Sequence, residues 1–282
     1  MKAVVVYARD SAGERAGSRV DEDGVSSRYT AGIASEGSCG LLAYVDEPMT
    51  PLQQFFRGIS SSRRGGREKD TTSQVMKLGE APGAWVVLAT GPDGGFDVER
   101  DAGIVVHDGL HDVFRETSAT AVGSRVSSLL CEDTSQAGTS TTRRPEVVYV
   151  ILSGGSAVLE DVLCHIEVRC LDGAFVVLVT ERPGCDIMQI VNRHACSFTP
   201  RQSFMFRGSK PIAVRDDLVA TVVYRGPRDP PPSSNGRTRV DAVRRLDDVE
   251  EVYVEGCGKC VLAERALFEV AYKIGWSEKY GS

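Results

Sequence analysis

The chain has 282 residues, a formal net charge of −6 at pH 7 and 41% apolar residues. A chain of this length buries a core without metals or disulfides, and its composition excludes the disordered and collagen-like classes. The balance of 39 acidic against 33 basic residues argues against nucleic acid as a partner of the whole surface. The sequence has no apolar run of membrane-spanning length and reaches a charge too early for a secretory signal, which predicts no membrane association.

The first half predicts a strand–turn–helix unit followed by further strands. Residues 41–45 form an apolar strand, Pro48 lies in an acidic turn, and the next helix carries Leu52, Phe55 and Phe56 on one face. Later elements are predicted as strands at 85–90, 96–98 and 104–106 and a helix with Leu110, Val113 and Phe114.

Three polar stretches are predicted to be connectors. Residues 132–145 contain no large apolar side chain and are typical of an interdomain linker. Residues 226–239 hold four prolines, which favour an exposed extended loop within the second half. Residues 60–72 form a basic loop that contains Arg63, Arg64, Arg67 and Lys69.

The second half repeats the unit of the first. A strand at 174–179 and an acidic turn with proline at 181–184 precede a helix with Ile187, Ile190 and Val191. Strands are predicted at 212–214, 221–224 and 252–254, and the final helix carries Leu267, Val270, Ala271 and Ile274. We therefore predict an α+β fold in two tandem modules, 1–131 and 146–282, joined by the linker 132–145, with the proline-rich insertion at 226–239 in the second.

The order of these elements resembles the betaherpesvirus US-twenty-two family. The matching residues are the Leu-x-x-Phe-Phe helix at 52–56, Val-Val-Leu-Ala-x-Gly-x-x-Gly-Gly-Phe at 86–96 and Val-His-Asp-Gly-Leu-His-Asp-Val-Phe-Arg at 106–115. Residues 251–255 and 261–269 resemble the same ending in the second half. The resemblance implies two SUKH-like modules, each a mostly antiparallel sheet packed with amphipathic helices.

The resemblance also implies a function. Members of this family are non-catalytic viral proteins that bind host proteins and counter innate immunity or cell death. It implies a location in the host cytoplasm or nucleus, or in the virion tegument, and association with related viral proteins as a homo- or hetero-oligomer. Some members bind double-stranded RNA and suppress antiviral signalling, so RNA binding through the basic loop of Arg63, Arg64, Arg67 and Lys69 is an alternative.

The cysteines suggest mainly structural roles. Several of the eight lie in apolar runs, namely Cys164, Cys170, Cys185 and Cys196, which favours free thiols in a reducing compartment. Cys257 and Cys260 form a C-x-x-C that could bind zinc together with His194 and Cys196, or act as a redox pair. The flanking glycines favour a structural turn instead, and we predict no cofactor.

Other motifs are weaker candidates for chemistry. His107 and His111 are four residues apart but have no predicted third ligand. The glycine-rich segments 91–95 and 153–156 lack the order of a phosphate-binding loop and are typical of hairpin or strand-to-helix turns. The start of the chain, from Tyr7 to Ser11, is similar to serine recombinases but lacks their later motifs. No nucleophile is paired with a base, so the sequence does not predict an enzyme.

Overall fold

A computed structural model of the protein describes most of the predicted elements. The described residues are 2–9, 28–61, 84–89, 113–116, 118–131, 147–153, 155–193, 206–207, 210–227, 249–255 and 260–274.

Within these residues the chain forms strands and helices in an alternating order. The strands are β1 (Lys2–Arg9), β2 (Ser38–Val45), β3 (Ala84–Ala89), β4 (Val113–Glu116), β5 (Val147–Ser153), β6 (Ala174–Pro183), β7 (Phe206–Arg207), β8 (Lys210–Pro211), β9 (Val214–Arg225) and β10 (Cys260–Leu262). The helices are α1 (Arg28–Glu36), α2 (Pro51–Ser61), α3 (Ala119–Cys131), α4 (Gly155–His165), α5 (Val168–Asp172), α6 (Ile187–Arg193), α7 (Val249–Glu255) and α8 (Ala263–Lys273).

One large sheet organises the described residues. Its eight strands follow the order β10-β2-β9-β6-β1-β5-β3-β4, and β7 pairs only with β8. The neighbours of β9, which are β2 and β6, pair with it in the antiparallel direction, whereas the remaining pairs in the large sheet are parallel. All strands of this sheet except β9 therefore point the same way.

The mainly parallel pairing follows from strands that are apolar on both faces. Six consecutive residues of β1, from Ala3 to Ala8, are buried, and β5 and β6 contain similar unbroken runs. Parallel strands are usually covered on both faces and for that reason read as continuous apolar runs, whereas half-exposed antiparallel strands alternate. The large sheet therefore needs helices on both sides.

Helices cover both faces of the sheet, and each face has its own core. The α2 face packs against α2 and α8, whose buried residues include Phe55, Phe56 and Leu267. The α4 face packs against α1 and α3–α7, through residues such as Leu159 of α4. The first turn of α2 is closed by a capping box, since Gln53 N donates to Thr50 Oγ1 (3.1 Å) and Thr50 N donates to Gln53 Oε1 (2.9 Å).

The predicted mixture of helices and strands is confirmed, but the prediction of a mostly antiparallel sheet is wrong. The alternation expected of an antiparallel sheet is absent from β1, β5 and β6, which are buried on both faces. A parallel partner is the usual solution for such strands.

The organisation into two modules is not confirmed. Strand β1 of the first half lies between β5 and β6 of the second, and β2 lies between β9 and β10. Because β1 is buried, the backbone N–H and C=O groups along both its edges need hydrogen-bond partners, and the second half supplies a strand on each side. Strands from the two halves therefore share one sheet. The linker at 132–145 lies outside the described residues, as does the insertion 226–239 beyond Pro227.

The strand and the helix of each predicted strand–turn–helix unit are confirmed, as β2–α2 and β6–α6, but residues 181–183 of the turn predicted at 181–184 belong to β6. Both strands are neighbours of β9, and both run antiparallel to it. Their helices lie on opposite faces, because α2 packs on the α2 face and Ile190 of α6 packs on the α4 face. The units therefore do not repeat along the sheet in a single orientation.

The remaining element predictions have mixed outcomes. The strand at 221–224 is part of β9 and the final helix is α8, so both are confirmed. Residues 252–254 are helical in α7, because Val249 and Val252 are spaced to bury one helix face. Val113 and Phe114 are extended in β4, where they pair with Val86 and Val87 of β3.

Candidate functional site

Polar side chains lie at one edge of the sheet, where three adjacent parallel strands end. Arg9, the last residue of β1, is in register with Ser153, the last residue of β5. On the other side of β1, Ala8 is in register with Thr180, so Glu181 of β6 is the next residue beside Arg9. We call this the carboxyl edge. Open α/β sheets bind their ligands outside the carboxyl ends of the strands, which makes it the candidate site.

The three polar residues of this row lie on the same face of the sheet. Side chains alternate along a strand, and Tyr7, Ile151 and Val179, each two residues earlier on its strand, belong to the core of the α2 face. The side chains of Arg9, Ser153 and Glu181 therefore lie on the α2 face, at the carboxyl edge of the sheet.

Glu181 of this row also belongs to a buried hydrogen-bonded network that includes two tyrosines. The Tyr7 hydroxyl donates to Glu181 Oε1 over 2.5 Å, and the hydroxyl oxygens of Tyr7 and Tyr44 are 2.9 Å apart. Only 4% of Glu181 is exposed, and both tyrosines are fully buried. Burial, and then the neighbouring Glu181, raise the pKa of both hydroxyls well above the ordinary 10.0. Both hydroxyls therefore keep their protons at neutral pH.

Helix α2 fixes the position of this network. Gln54 is buried and clamps the end of β2, because its amide nitrogen donates to the Val45 carbonyl (2.8 Å) and its amide oxygen accepts from Val45 N (2.7 Å). The next residue, Phe55, packs its ring 5.0 Å from the ring of Tyr7. The sequence Gln-Phe-Phe therefore provides both the polar clamp and the apolar contact that position β1 and β2.

An ion pair on β9 adds charge near the same edge. Arg215 donates two hydrogen bonds to Asp217, of 2.8 Å to Oδ1 and 2.7 Å to Oδ2. These bonds hold the pKa of Asp217 below its ordinary value of 3.8. Asp217 raises the pKa of Arg215 most, and the charges of Asp46 and Glu181 add to this effect. Arg215 is therefore near enough to balance part of the negative charge at the carboxyl edge.

On the side of Arg9 away from Glu181, β5 is followed along the chain by α4. Ser153 ends β5 and Gly155 begins α4, which confirms the prediction of a strand-to-helix turn at 153–156. The backbone N–H groups in the first turn of the 11-residue helix α4 have no partner within the helix, and this turn carries the positive end of the helix dipole. The side chain of Glu160 on α4 accepts hydrogen bonds from Tyr29 N and from Thr30 N (3.0 Å) at the start of α1.

Most of the site residues predicted from the sequence lie outside the described residues. These are the basic loop of Arg63, Arg64, Arg67 and Lys69, the zinc candidates His194, Cys196 and Cys257, and also Ser11, His107, His111 and the glycine-rich segment 91–95.

Of the four zinc candidates the structure describes Cys260. It lies in β10, is 3% exposed and packs into the core of the α4 face. Burial raises the pKa of its thiol, which disfavours the thiolate that binds zinc. Within the described part of the chain no three His, Cys, Asp or Glu side chains are grouped as metal ligands would be.

One cysteine prediction is wrong. The sequence predicts a free thiol at Cys170, whereas Cys170 forms a disulfide bond with Cys131. The two residues lie on different helices, α3 and α5, which only the folded chain brings together. Cys164 and Cys185 are free as expected, although Cys164 is exposed rather than buried.

Sequence patterns alone did not identify the buried network. The sequence predicts an acidic turn at Glu181, whereas β6 continues to Pro183 and includes this residue. The sequence does show an acidic residue, Glu181, just after the apolar strand predicted at 174–179. It also shows a tyrosine, Tyr7, near the end of the first apolar segment of the chain. Pairing them required the strand order.

These observations define an α/β protein with a mainly parallel sheet covered on both faces. No family model matches the sequence. A search of curated proteins found no match either. Among solved structures, the chain is similar to the PH0037 protein from Pyrococcus horikoshii, with a TM-score of 0.47 and 10% sequence identity over 100% of this chain and 99% of that one. None of the helices described here combines the length and apolar character needed to cross a bilayer.

Proposed function

We propose that the protein binds, without catalysing a reaction, a small ligand that carries an anionic group, and that the carboxyl edge is its binding site. The observation that carries this proposal is the row of Ser153, Arg9 and Glu181 across three adjacent strands. A guanidinium between a hydroxyl and a carboxylate provides both attraction and orientation for such a ligand.

The charges on the two sides of Arg9 determine where the anion lies. On one side, Ser153 offers a hydroxyl. On the other side, the Glu181 carboxylate repels a second negative charge. The anionic group of the ligand therefore contacts Arg9 and Ser153, and the uncharged part of the ligand extends away from these two residues.

The buried network supports binding rather than acid–base catalysis. Tyr7 and Tyr44 keep their protons, and Tyr7 donates to Glu181. A catalytic base would need to meet the substrate, whereas this carboxylate is buried and already accepts a hydrogen bond. The network instead holds β1, β2 and β6 in register beneath the site.

Titration calorimetry with inorganic phosphate and pyrophosphate, at low salt, tests this proposal. We expect Arg9→Gln to weaken binding about ten- to a hundred-fold, because it removes charge-assisted hydrogen bonds. Arg9→Lys should retain part of the affinity, since the charge remains and the planar fork is lost.

The matched control is Arg169→Gln on α5, whose side chain is 78% exposed and which lies on the α4 face. This variant should bind like the wild type. The proposal is wrong if wild-type protein binds neither anion, or if Arg9→Gln and Arg169→Gln have the same affinity.

Binding of a host protein is a second candidate, which follows from the resemblance to the US-twenty-two family. It is supported by the net charge of −6, which favours a basic protein surface over nucleic acid. Affinity capture from infected cells with wild-type and Arg9→Gln baits tests it. A host protein enriched on both baits would support it, and no enrichment on either would contradict it.

A further inference from the structure

A single disulfide bond joins two helices on the α4 face. Cys131 is the last residue of α3, Cys170 lies in α5, and their Cα atoms are 5.6 Å apart, within the usual range for a disulfide. Cys164, Cys185 and Cys260 are free thiols. Among the cysteines that the structure describes, this is an isolated cross-link, unlike the dense frameworks of small secreted domains.

The two helices are held together by contacts that do not depend on the sulfur–sulfur bond. The backbone N–H of Glu167, just before α5, donates to Ser127 Oγ of α3 over 2.8 Å. Cys170 Sγ lies 3.7 Å from the Ser127 carbonyl oxygen, an acceptor to which a thiol at this position can donate. Both sulfur atoms would therefore remain adjacent after reduction, and the buried thiol would have a hydrogen-bond acceptor.

The two cysteines differ in their exposure to solvent. Cys170 is 4% exposed, whereas Cys131 is only partly buried at the end of its helix. A small reagent therefore reaches Cys131 first, and Cys170 can react only with a sulfur that is already beside it. This asymmetry is typical of pairs in which one thiolate attacks a small disulfide and forms a mixed disulfide, which the second thiolate then resolves.

We propose that Cys131 and Cys170 form a reversible redox switch that exchanges with a low-molecular-weight disulfide such as glutathione disulfide. The Cys131 thiolate attacks one sulfur of glutathione disulfide and releases one glutathione, which leaves a mixed disulfide at Cys131. The Cys170 thiolate then attacks Cys131 Sγ and releases the second glutathione. Two protein thiols lose two electrons and two protons, and one glutathione disulfide becomes two glutathione molecules.

The disulfide bond encloses a segment of the chain that contributes Ser153 to the proposed binding site. The 39-residue separation between the two cysteines includes β5, α4 and the Ser153 end of the carboxyl edge. Closing this loop restricts the unfolded chain and fastens α3 to α5. The switch rests on the contacts between α3 and α5 and on the different exposure of the two cysteines, and it does not depend on anion binding.

Equilibration of the full chain in glutathione buffers of graded redox ratio, followed by alkylation and mass spectrometry, tests the switch. We expect Cys131 and Cys170 to become alkylated together, in one two-electron step, as the buffer becomes more reducing. Exposed Cys164 should be alkylated throughout and serves as an internal control. The melting temperature should be about 5–10 °C higher in the oxidised protein.

Two serine variants separate the switch from a general effect of reductant. Cys131→Ser should abolish the redox-dependent shift in melting temperature, and because this residue is only partly buried the variant should fold. Cys164→Ser should keep the full shift. The proposal is overturned if Cys131 and Cys170 change independently, if neither changes across the buffers, or if Cys131→Ser keeps the shift.

Discussion

Replacing Tyr7 by Phe removes one hydroxyl from the buried network. The Tyr7 hydroxyl donates to Glu181 Oε1 over 2.5 Å and contacts the Tyr44 hydroxyl at 2.9 Å. Deleting it takes a donor away from a carboxylate that is 4% exposed, and water cannot fully replace that donor. A buried acceptor that loses its donor costs about 1–3 kcal/mol, so we expect the free energy of unfolding to fall by that amount.

Tyr224→Phe is the matched control for this substitution. Tyr224 lies on β9, stacks on Phe175 with ring centroids 6.4 Å apart, and its buried hydroxyl has no hydrogen-bond partner among the described residues. Removing a buried hydroxyl without a partner relieves a desolvation cost, so this variant should be as stable as the wild type or slightly more stable. Both substitutions remove the same atom.

Urea unfolding under fixed oxidising conditions measures both variants, with circular dichroism as the signal and the slope of the transition as a check on two-state behaviour. The expected result is that the free energy of unfolding of Tyr7→Phe lies at least about 1 kcal/mol below that of Tyr224→Phe. Equal losses in the two variants would refute the hydrogen-bonded network as a source of stability.

Two further predictions concern close packing and pH. A Cβ added at Gly123 of α3 would lie 2.5 Å from His165 Cβ, whereas one added at Gly32 of α1 meets nothing within 4 Å. Both changes gain similar helix propensity, so Gly123→Ala should be less stable than Gly32→Ala by about 1–3 kcal/mol in urea unfolding, and equal stabilities would contradict the close approach. The lowered pKa of Asp217 means that its ionised form stabilises the native state above pH 3.8, and this contribution is lost as the pH falls through the native pKa. Asp217→Asn should therefore reduce the loss of stability below pH 3.8, by a small amount because 62% of this side chain is exposed to screening solvent, and an unchanged acid-unfolding profile would contradict the role of Arg215.

Local patterns in the sequence predicted the individual elements better than their pairing. The spacing of Leu52, Phe55 and Phe56 predicts one buried helix face, and α2 has that face. The strand predicted at 252–254 failed because valines favour strands when considered singly, whereas Val249 and Val252 are spaced for a helix. The spacing of apolar residues depends only on the segment that contains them, so it predicts a helix or a strand correctly when it is read across the whole segment.

The candidate site was less accessible to sequence reasoning than the elements. Tyr7 and Glu181 are 174 positions apart, and nothing between them indicates that β1 and β6 are neighbours. The same holds for the disulfide between Cys131 and Cys170, which joins two helices separated by a strand and a third helix. Such contacts depend on strand order and helix packing, which residue spacing does not encode.

The sequence by itself determined which segments are apolar, where several helices and strands lie and that the chain buries a core. The unbroken apolar runs of β1, β5 and β6 also required cover on both faces, because such strands have no side that water can face. Only the tertiary structure decided that the two halves share one sheet and that Ser153, Arg9 and Glu181 lie side by side. The physical reason is that burial of an apolar strand is satisfied by any suitable neighbour, so the choice of neighbour depends on the packing of the whole chain.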